Sequence, residues 1–480
     1  MLLKSTLIYG PAILLTRISA LLFLVIATRL IDKTEYGLLT LVVTVGEMTD
    51  AAVTNWLRIS LLRLGGKGAV SKGSLTRAGF ILFVMTMIAF AVAVVASNYV
   101  APERWSEFSI AVCAYLSAGA VARYSLIVLQ MQQRHTTFAM MEFLRALLQL
   151  ALPVLAVLTL SHSFLVVSLA SSLGMLTAGT FAGFAAASKI VPGPPRFTHR
   201  EFFALGVPII VIAFVSFGLV NAERVFLKVY HGAAAVAVFA AAYALARQPV
   251  DMIANAINMG AFPEAIGRFD EEGPSAAAAI FTQFIVLLLT LSLPVAALLA
   301  ALGHDLTELL LPASYDGPYN ILFGMVAGSV LCTNLTDFVY DSVVLAHKRP
   351  WLLIVSKILG SAVTVSLSFL LIPSLTEIGA TMALAGGAIT NLTVALLISR
   401  RLTPIPFPWR AFAISLLTSG AMGLVAAFIS RSLGADVNVV IRLALAGSAA
   451  GLIFITANAL CYPSQTRQGI ALVRSRLSKA

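Results

Sequence analysis

The feature that most constrains this chain is a run of about twenty apolar residues that recurs along its whole length, broken only by short connections. A helix of ~20 residues rises ~30 Å, the thickness of a bilayer's hydrocarbon core. Such runs lie near 7–31, 38–57, 78–99, 107–129, 138–160 and 163–187. They resume near 204–227, 234–260, 277–301, 318–343, 351–372, 378–398, 411–431 and 439–461. Hydrophobic residues make up 59% of the chain and charged residues 11%, where a soluble domain is about half apolar and about a quarter charged. The excess apolar surface therefore faces lipid. The expectation is an all-α polytopic membrane protein of about 14 transmembrane helices. The first run carries Arg17 near its middle and is too long for the apolar part of a cleaved signal peptide, so it is read as a span.

Lysine and arginine set the orientation. One set of alternate connections holds Arg58, Arg63, Lys67, Lys72 and Arg77, then Arg134, then Lys189, Arg196 and Arg200. Farther on it holds Arg268, Lys348, Arg349, Arg400, Arg401 and Arg410, and a tail with Arg467, Arg474, Arg476 and Lys479. The opposite connections hold little beyond Lys33, Arg104 and Lys228. Basic loops stay cytoplasmic, so both termini are expected inside, in a bacterial inner membrane. The net charge of +11 follows from topology and gives no ground for a nucleic-acid partner. Cys113, Cys332 and Cys461 lie in or beside apolar runs with neither metal-binding nor disulfide-framework spacing.

The longest cytoplasmic connections are 58–77 and 188–203. The second reads Lys189-Ile-Val-Pro-Gly-Pro-Pro-Arg196 and follows the sixth run. It divides the chain into an N-terminal six-helix lobe (1–190), a cytoplasmic linker (191–203), a C-terminal six-helix lobe (204–400), and two additional helices with a basic tail (401–480). Because six is even, both lobes begin on the same side, as in a parallel internal repeat. Gly10-Pro11 with Arg29 in the first run echoes Gly206-Val-Pro208 with Arg224 in the seventh.

Charges at membrane depth are costly and usually face a bundle interior or a wet cavity. Here they are Arg17, Glu47, Asp50, Arg123, Glu142, Arg145, Arg247, Asp251, Asp337, Asp341 and Lys357. Glu142 with Arg145, and Arg247 with Asp251, stand one turn apart and read equally well as local ion pairs. Arg17 and Arg123 have no acidic residue one turn away and read as cavity cations. Lys357 reads as snorkelling to headgroups. A cationic vestibule suits an anionic cargo, since guanidinium forks onto phosphate oxygens. The substrate-binding candidates are Arg17, Arg123, Arg145 and Arg247, with Arg29 and Arg224 near the outer ends. If an ion gradient of H⁺ or Na⁺ drives the cargo, Glu47, Asp50 and Glu142 are the carboxylates at suitable depth. Pro11, Pro153, Pro208, Pro249 and Pro294 lie within or just inside apolar runs, where each can kink its helix.

The sequence carries no P-loop, HExxH, CxxC or GxSxG, and no cofactor is implied. A membrane glycosyltransferase or polysaccharide polymerase would place acidic residues in outer loops, where Asp32 and Glu35 are available, but those loops are short.

The segment Ala27-Thr-Arg29-Leu-Ile-Asp32-Lys-Thr-Glu35-Tyr36-Gly37 resembles the opening signature of bacterial polysaccharide exporters and Wzx-type flippases. Glu223-Arg224-Val-Phe-Leu-Lys228 through Phe239-Ala-Ala-Ala-Tyr243 is similar to that family's acidic-Arg step, with Glu where Asp is common. Ala346-His-Lys348-Arg349-Pro350 and Ile378-Gly379-Ala380 match its C-terminal half in style. The resemblance implies the multidrug/oligosaccharidyl-lipid/polysaccharide exporter fold and alternating access. It implies as cargo a lipid-linked oligosaccharide on undecaprenyl diphosphate, and as partners membrane lipids, a polysaccharide polymerase and a chain-length regulator. It implies transport rather than catalysis. A cation-coupled exporter of amphipathic small molecules is the alternative.

Overall fold

The computed structural model describes residues 2–64, 70–434 and 436–461. Lys67 and the basic tail with Arg467, Arg474, Arg476 and Lys479 lie outside the described residues. The helices are α1 (Leu2–Leu30), α2 (Lys33–Val53), α3 (Asn55–Leu64), α4 (Lys72–Val100), α5 (Trp105–Met131), α6 (His135–Thr159) and α7 (Phe164–Ala187). They continue with α8 (His199–His231), α9 (Ala233–Glu272), α10 (Pro274–Leu310), α11 (Tyr319–Leu335), α12 (Asp341–Ala346), α13 (Trp351–Leu402), α14 (Trp409–Leu433) and α15 (Val439–Cys461). Two short strands, β1 (Val70–Ser71) and β2 (Ile190–Val191), pair in parallel.

Among the described residues eleven helices are long and apolar enough to cross a membrane, or twelve if the bent pair Lys33–Ala51 and Trp56–Leu62 is one span. That number treats α13 as a single helix. Its 52 residues would reach about 78 Å at the α-helical rise, far more than one crossing. Thr376, with φ 48° and ψ −125°, breaks it between the runs expected at 351–372 and 378–398. Several helices also outrun the apolar pattern: α9 extends to Glu272 and α10 to Leu310.

Capping residues set the boundaries. The Asp32 side chain accepts from the Thr34 N–H at the start of α2, and the Ser163 side chain from the Leu165 N–H at the start of α7. Thr198 and Glu201 close a reciprocal capping box on α8. Gly232, at φ 83°, ends α8 and lets α9 begin at once.

The helices group into two compact units. One comprises 1–244 with 350–391, the other 245–349 with 392–480. In the first, α7 packs on both α5 and α6, α1 on α6, α4 on α5, and α2 on α5 and α8. Helices in lipid approach through small residues, because lipid offers no hydrophobic drive between them. A Cβ on Gly179 of α7 would stand 2.5 Å from Ala122 Cα of α5. In the second unit α10 packs on α11 and α14, and α14 on α15. Its cluster of Leu302, Met422, Ala426, Ala446 and Ala450 is again mostly small.

The two described ends of the connection 58–77 hold regular structure. Its beginning is helical in α3, and Trp56 and Leu61 are fully buried with Phe202 of α8. Its end pairs with the 188–203 connection, Val70 opposite Ile190 and Ser71 opposite Val191. The Gly73 N–H donates to Gly193 O at 3.0 Å, the Arg196 N–H to Ser74 Oγ at 2.9 Å, and Arg77 to Phe197 O. Phe197 is buried and stacks on Phe202, centroids 4.6 Å apart. The Pro/Gly segment is thus a strap fastened across the start of α4.

Candidate functional site

One charged group of the first unit lies beside a single aromatic ring. Tyr115, on α5, stands in the fields of Glu47, Arg123, Asp50 and Arg145 together. Gly46 on α2 makes room for that ring, since a Cβ there would overlap it. Arg123 Cζ lies 5.9 Å from the ring centroid.

Arg123 binds Asp50 across helices at 2.5 Å, with the Asp50 side chain 9% exposed and that of Arg123 28%. Thr54, one turn below Asp50, donates to its other carboxylate oxygen. Asp50, Thr54, Arg58, Arg123 and Tyr124 line a narrow cleft. Arg145 binds Glu142 at 2.6 Å on the same helix and donates to Gln149 at 2.7 Å. Glu47, three residues before Asp50, is exposed. Arg17 is half-buried on α1, the helix that packs along α6. Asp50 and Arg123 are therefore brought together across helices, and Glu142 with Arg145 on one helix. Tyr115 beside Arg123, Thr54 on Asp50 and Gln149 on Arg145 were not anticipated from sequence.

A second group lies where α2 begins. Arg104 binds Glu35 and Glu107 and stacks over Phe164, 4.6 Å from its centroid. The other Glu35 oxygen accepts the Phe164 N–H at 2.7 Å. Arg224 on α8 donates to Thr44 at 3.0 Å and lies 5.0 Å from the Tyr243 centroid. Glu223 beside it is fully buried, and neither of its carboxylate oxygens has a hydrogen-bond partner among the described residues. Lys228 approaches Glu103 at 3.7 Å, and Arg29 is exposed. Asp32 and Glu35, the carboxylates an outer-loop enzyme would need, are thus engaged as a helix cap and a helix clamp. Hydrogen bonding from the Thr34 N–H holds the Asp32 carboxyl below its ordinary value.

In the second unit Arg247 binds Asp251 at 2.8 Å, and Asn334 donates to the other Asp251 oxygen at 3.2 Å. Asn334 stands just ahead of a π-helical turn, Thr336–Tyr340, that contains Asp337. The most enclosed charge cluster in this unit is Arg442, 4% exposed, which binds Asp305 at 3.0 Å and also Glu308. Ser430 donates to Asp305. This cluster was not legible either, because its carboxylates lie beyond the apolar run ending near 301. Among the described residues no group of three or more His, Cys, Asp or Glu is placed to hold a metal ion.

The chain is similar in structure to the lipid II flippase MurJ in an inward closed conformation: TM-score 0.73, 12% identity, covering 96% of this chain and 100% of that one. It is also similar to a multidrug resistance MATE family transporter of the MOP superfamily in an inward-facing conformation, with TM-score 0.53, 13% identity, 83% of this chain and 94% of that one. A Vibrio cholerae MATE transporter matches with TM-score 0.53, 14% identity, 83% of this chain and 96% of that one. These likenesses show the all-helical transporter fold. A search of curated proteins finds no match. The model of the polysaccharide biosynthesis protein family matches residues 2–270, more than half of the chain. A multi-pass membrane protein with this fold and this match belongs to the polysaccharide biosynthesis protein family.

Proposed function

We propose that the protein is a flippase that moves an undecaprenyl-diphosphate-linked oligosaccharide from the cytoplasmic to the periplasmic leaflet of a bacterial inner membrane, for surface polysaccharide synthesis. The observation that carries this reading is the pairing of Arg123 with Asp50 across helices and of Arg145 with Glu142, in a chain of the polysaccharide biosynthesis family. A diphosphate cannot cross bare hydrocarbon, because desolvating an unpaired charge costs many kcal/mol. Guanidinium groups along its path replace water with charge-assisted bonds. The ion pairs to Asp50 and Glu142 keep those arginines soluble in the membrane until an anion competes for them. Arg17 and Arg247 would serve the same cargo, with Arg29 and Arg224 at the outer ends.

The bias of lysine and arginine to one set of connections supports a cytoplasmic location for both termini. The same arrangement offers an ion-coupling route: cargo that draws Arg123 or Arg145 away frees Asp50 or Glu142 to take up H⁺ or Na⁺, with Glu47 close by. A strain lacking the protein should accumulate its lipid-linked sugar on the cytoplasmic side and lose surface polysaccharide. Normal polysaccharide in a clean deletion without a covering paralogue would overturn the proposal. A second reading, a cation-coupled exporter of amphipathic small molecules, is favoured by the likeness to the MATE transporters. Altered drug sensitivity with intact polysaccharide would select it.

A further inference from the structure

We propose that the strap over α4 forms a binding site for the phosphate headgroup of an anionic lipid, with the lipid's tail lying down the outer face of the same helix. The inference goes beyond the transport reading and does not require it. The strap and the first turns of α4 enclose an open cleft of about 640 Å³ lined by Lys72, Gly73, Thr76, Arg77 and Phe80, by Pro192, Gly193 and Pro195, and by His199. The strap is held by the β1–β2 pair at one end and by buried Phe197 at the other, so the cleft is a built feature.

Its chemistry is one-sided. Lys72 and His199 are exposed, and neither has an ion-pair partner among the described residues. Arg77 gives one nitrogen to Phe197 O and keeps four further N–H donors. Glu201, at the neighbouring helix start, accepts the Thr198 N–H and hydroxyl on one carboxylate oxygen. The first N–H groups of α4 are occupied too, Gly73 by Gly193 O and Ser74 by Ser71 Oγ. An anion would therefore be held by side chains.

The ligand's other half is written on the helix. Gly73, Thr76, Arg77 and Phe80 follow one face at steps of three and four, and the same face continues as Phe83, Val84, Met87 and Ile88. Phe80 is 66% exposed and Phe83 60%. One helix face thus passes from cationic and polar to bare aromatic and aliphatic over two turns. A phosphate-headed lipid makes that change over the same distance. Topology alone would scatter cations over the loops and has no need of a strap that gathers Lys72, Arg77 and His199 around one cleft at the head of that stripe.

The full-length protein in mixed micelles would be titrated with dioleoylphosphatidylglycerol, undecaprenyl monophosphate or dioleoylphosphatidylcholine, and bound lipid read by native mass spectrometry. Both anionic lipids should outbind phosphatidylcholine. Lys72→Glu, which removes one attraction and adds one repulsion, should weaken them about tenfold, roughly 1.4 kcal/mol. Thr76→Glu, which alters the floor without touching a strap contact, should act in the same direction and supplies the reading if Lys72→Glu lowers the melting temperature. Equal binding of the two anionic lipids identifies a general headgroup site, and preference for undecaprenyl monophosphate identifies a site for the cargo carrier. Binding of phosphatidylcholine as tight as either, or variants that bind like the parent, would overturn the proposal. The assay needs no transport, so a null complementation test and a null lipid test are separate outcomes.

Discussion

Arg123 on α5 and Asp50 on α2 hold each other at 2.5 Å across two helices, so the cation that sequence presents as solitary and the carboxylate it presents as a free proton carrier are one unit. Breaking a buried pair by removing one member costs about 3–5 kcal/mol. The cost here should fall near or below the lower end, because Arg123 keeps 28% of its side chain exposed. Asp50→Asn and Arg123→Gln should each lower the melting temperature in detergent, and the double variant should lose less than the sum. Additive losses would show that the pair is not coupled.

Arg17 separates cargo handling from bundle assembly. Arg17→Ala should reach the membrane at normal levels yet fail to restore polysaccharide in a deletion strain, while Arg17→Lys should be partly active, keeping charge and losing the fork. Full activity of Arg17→Ala and Arg123→Ala, or failure of both to insert, would assign these arginines to structure.

Arg442 offers the contrast. It is buried between Asp305 and Glu308, and replacing it strands Asp305, itself 4% exposed. Arg442→Met should cost about 3–5 kcal/mol and appear as reduced membrane abundance. Whatever protein survives should transport the same cargo. Removing Asp305 together with Arg442 should recover part of the loss, which a thermal melt would show.

Asp32 gives a pH signature. Its carboxyl is held below its ordinary value of 3.8, chiefly by the Thr34 N–H. The cap's ionic contribution is therefore complete above that ordinary value and is lost as pH falls through the lower folded-state value. Asp32→Ala should cost ~1 kcal/mol near neutrality, as for other helix N-caps. The difference in melting temperature between parent and variant should hold from pH 7 to about 5 and shrink below the ordinary carboxylate range. A difference independent of pH down to strongly acid solution would contradict the capping account.

Much of the fold was legible because lipid enforces a single period and length on every span. The break at Thr376 falls between two apolar runs, and each intramembrane acid–base pair one turn apart, Glu142 with Arg145 and Arg247 with Asp251, is formed. Contacts between helices were not legible, because a span's sequence states which residues avoid lipid and not which helix they meet. Asp50 finds Arg123, 73 positions away, and Glu35 finds Arg104, 69 positions away. Gly46 carried a faint signal, a residue without a side chain next to Glu47 and one helical turn from Asp50. The strap was hidden for another reason: Val70 and Ile190 belong to connections whose composition reads as linker, and two-residue strands have no periodicity to detect.

That parallel pair also sets a schedule. Arg77 waits for Phe197, 120 positions later, and at ~5–20 residues per second of synthesis the delay is roughly 6–24 s. Through that interval Val70 and Ser71 have no strand to pair with, while α4, α5, α6 and α7 enter the bilayer one after another. Fastening the strap then reports that these four helices are in place and returns the chain to the membrane face it left. A nascent chain that left one of these four helices out of the bilayer would carry Ile190 to the opposite face from Val70, and the pair could not form.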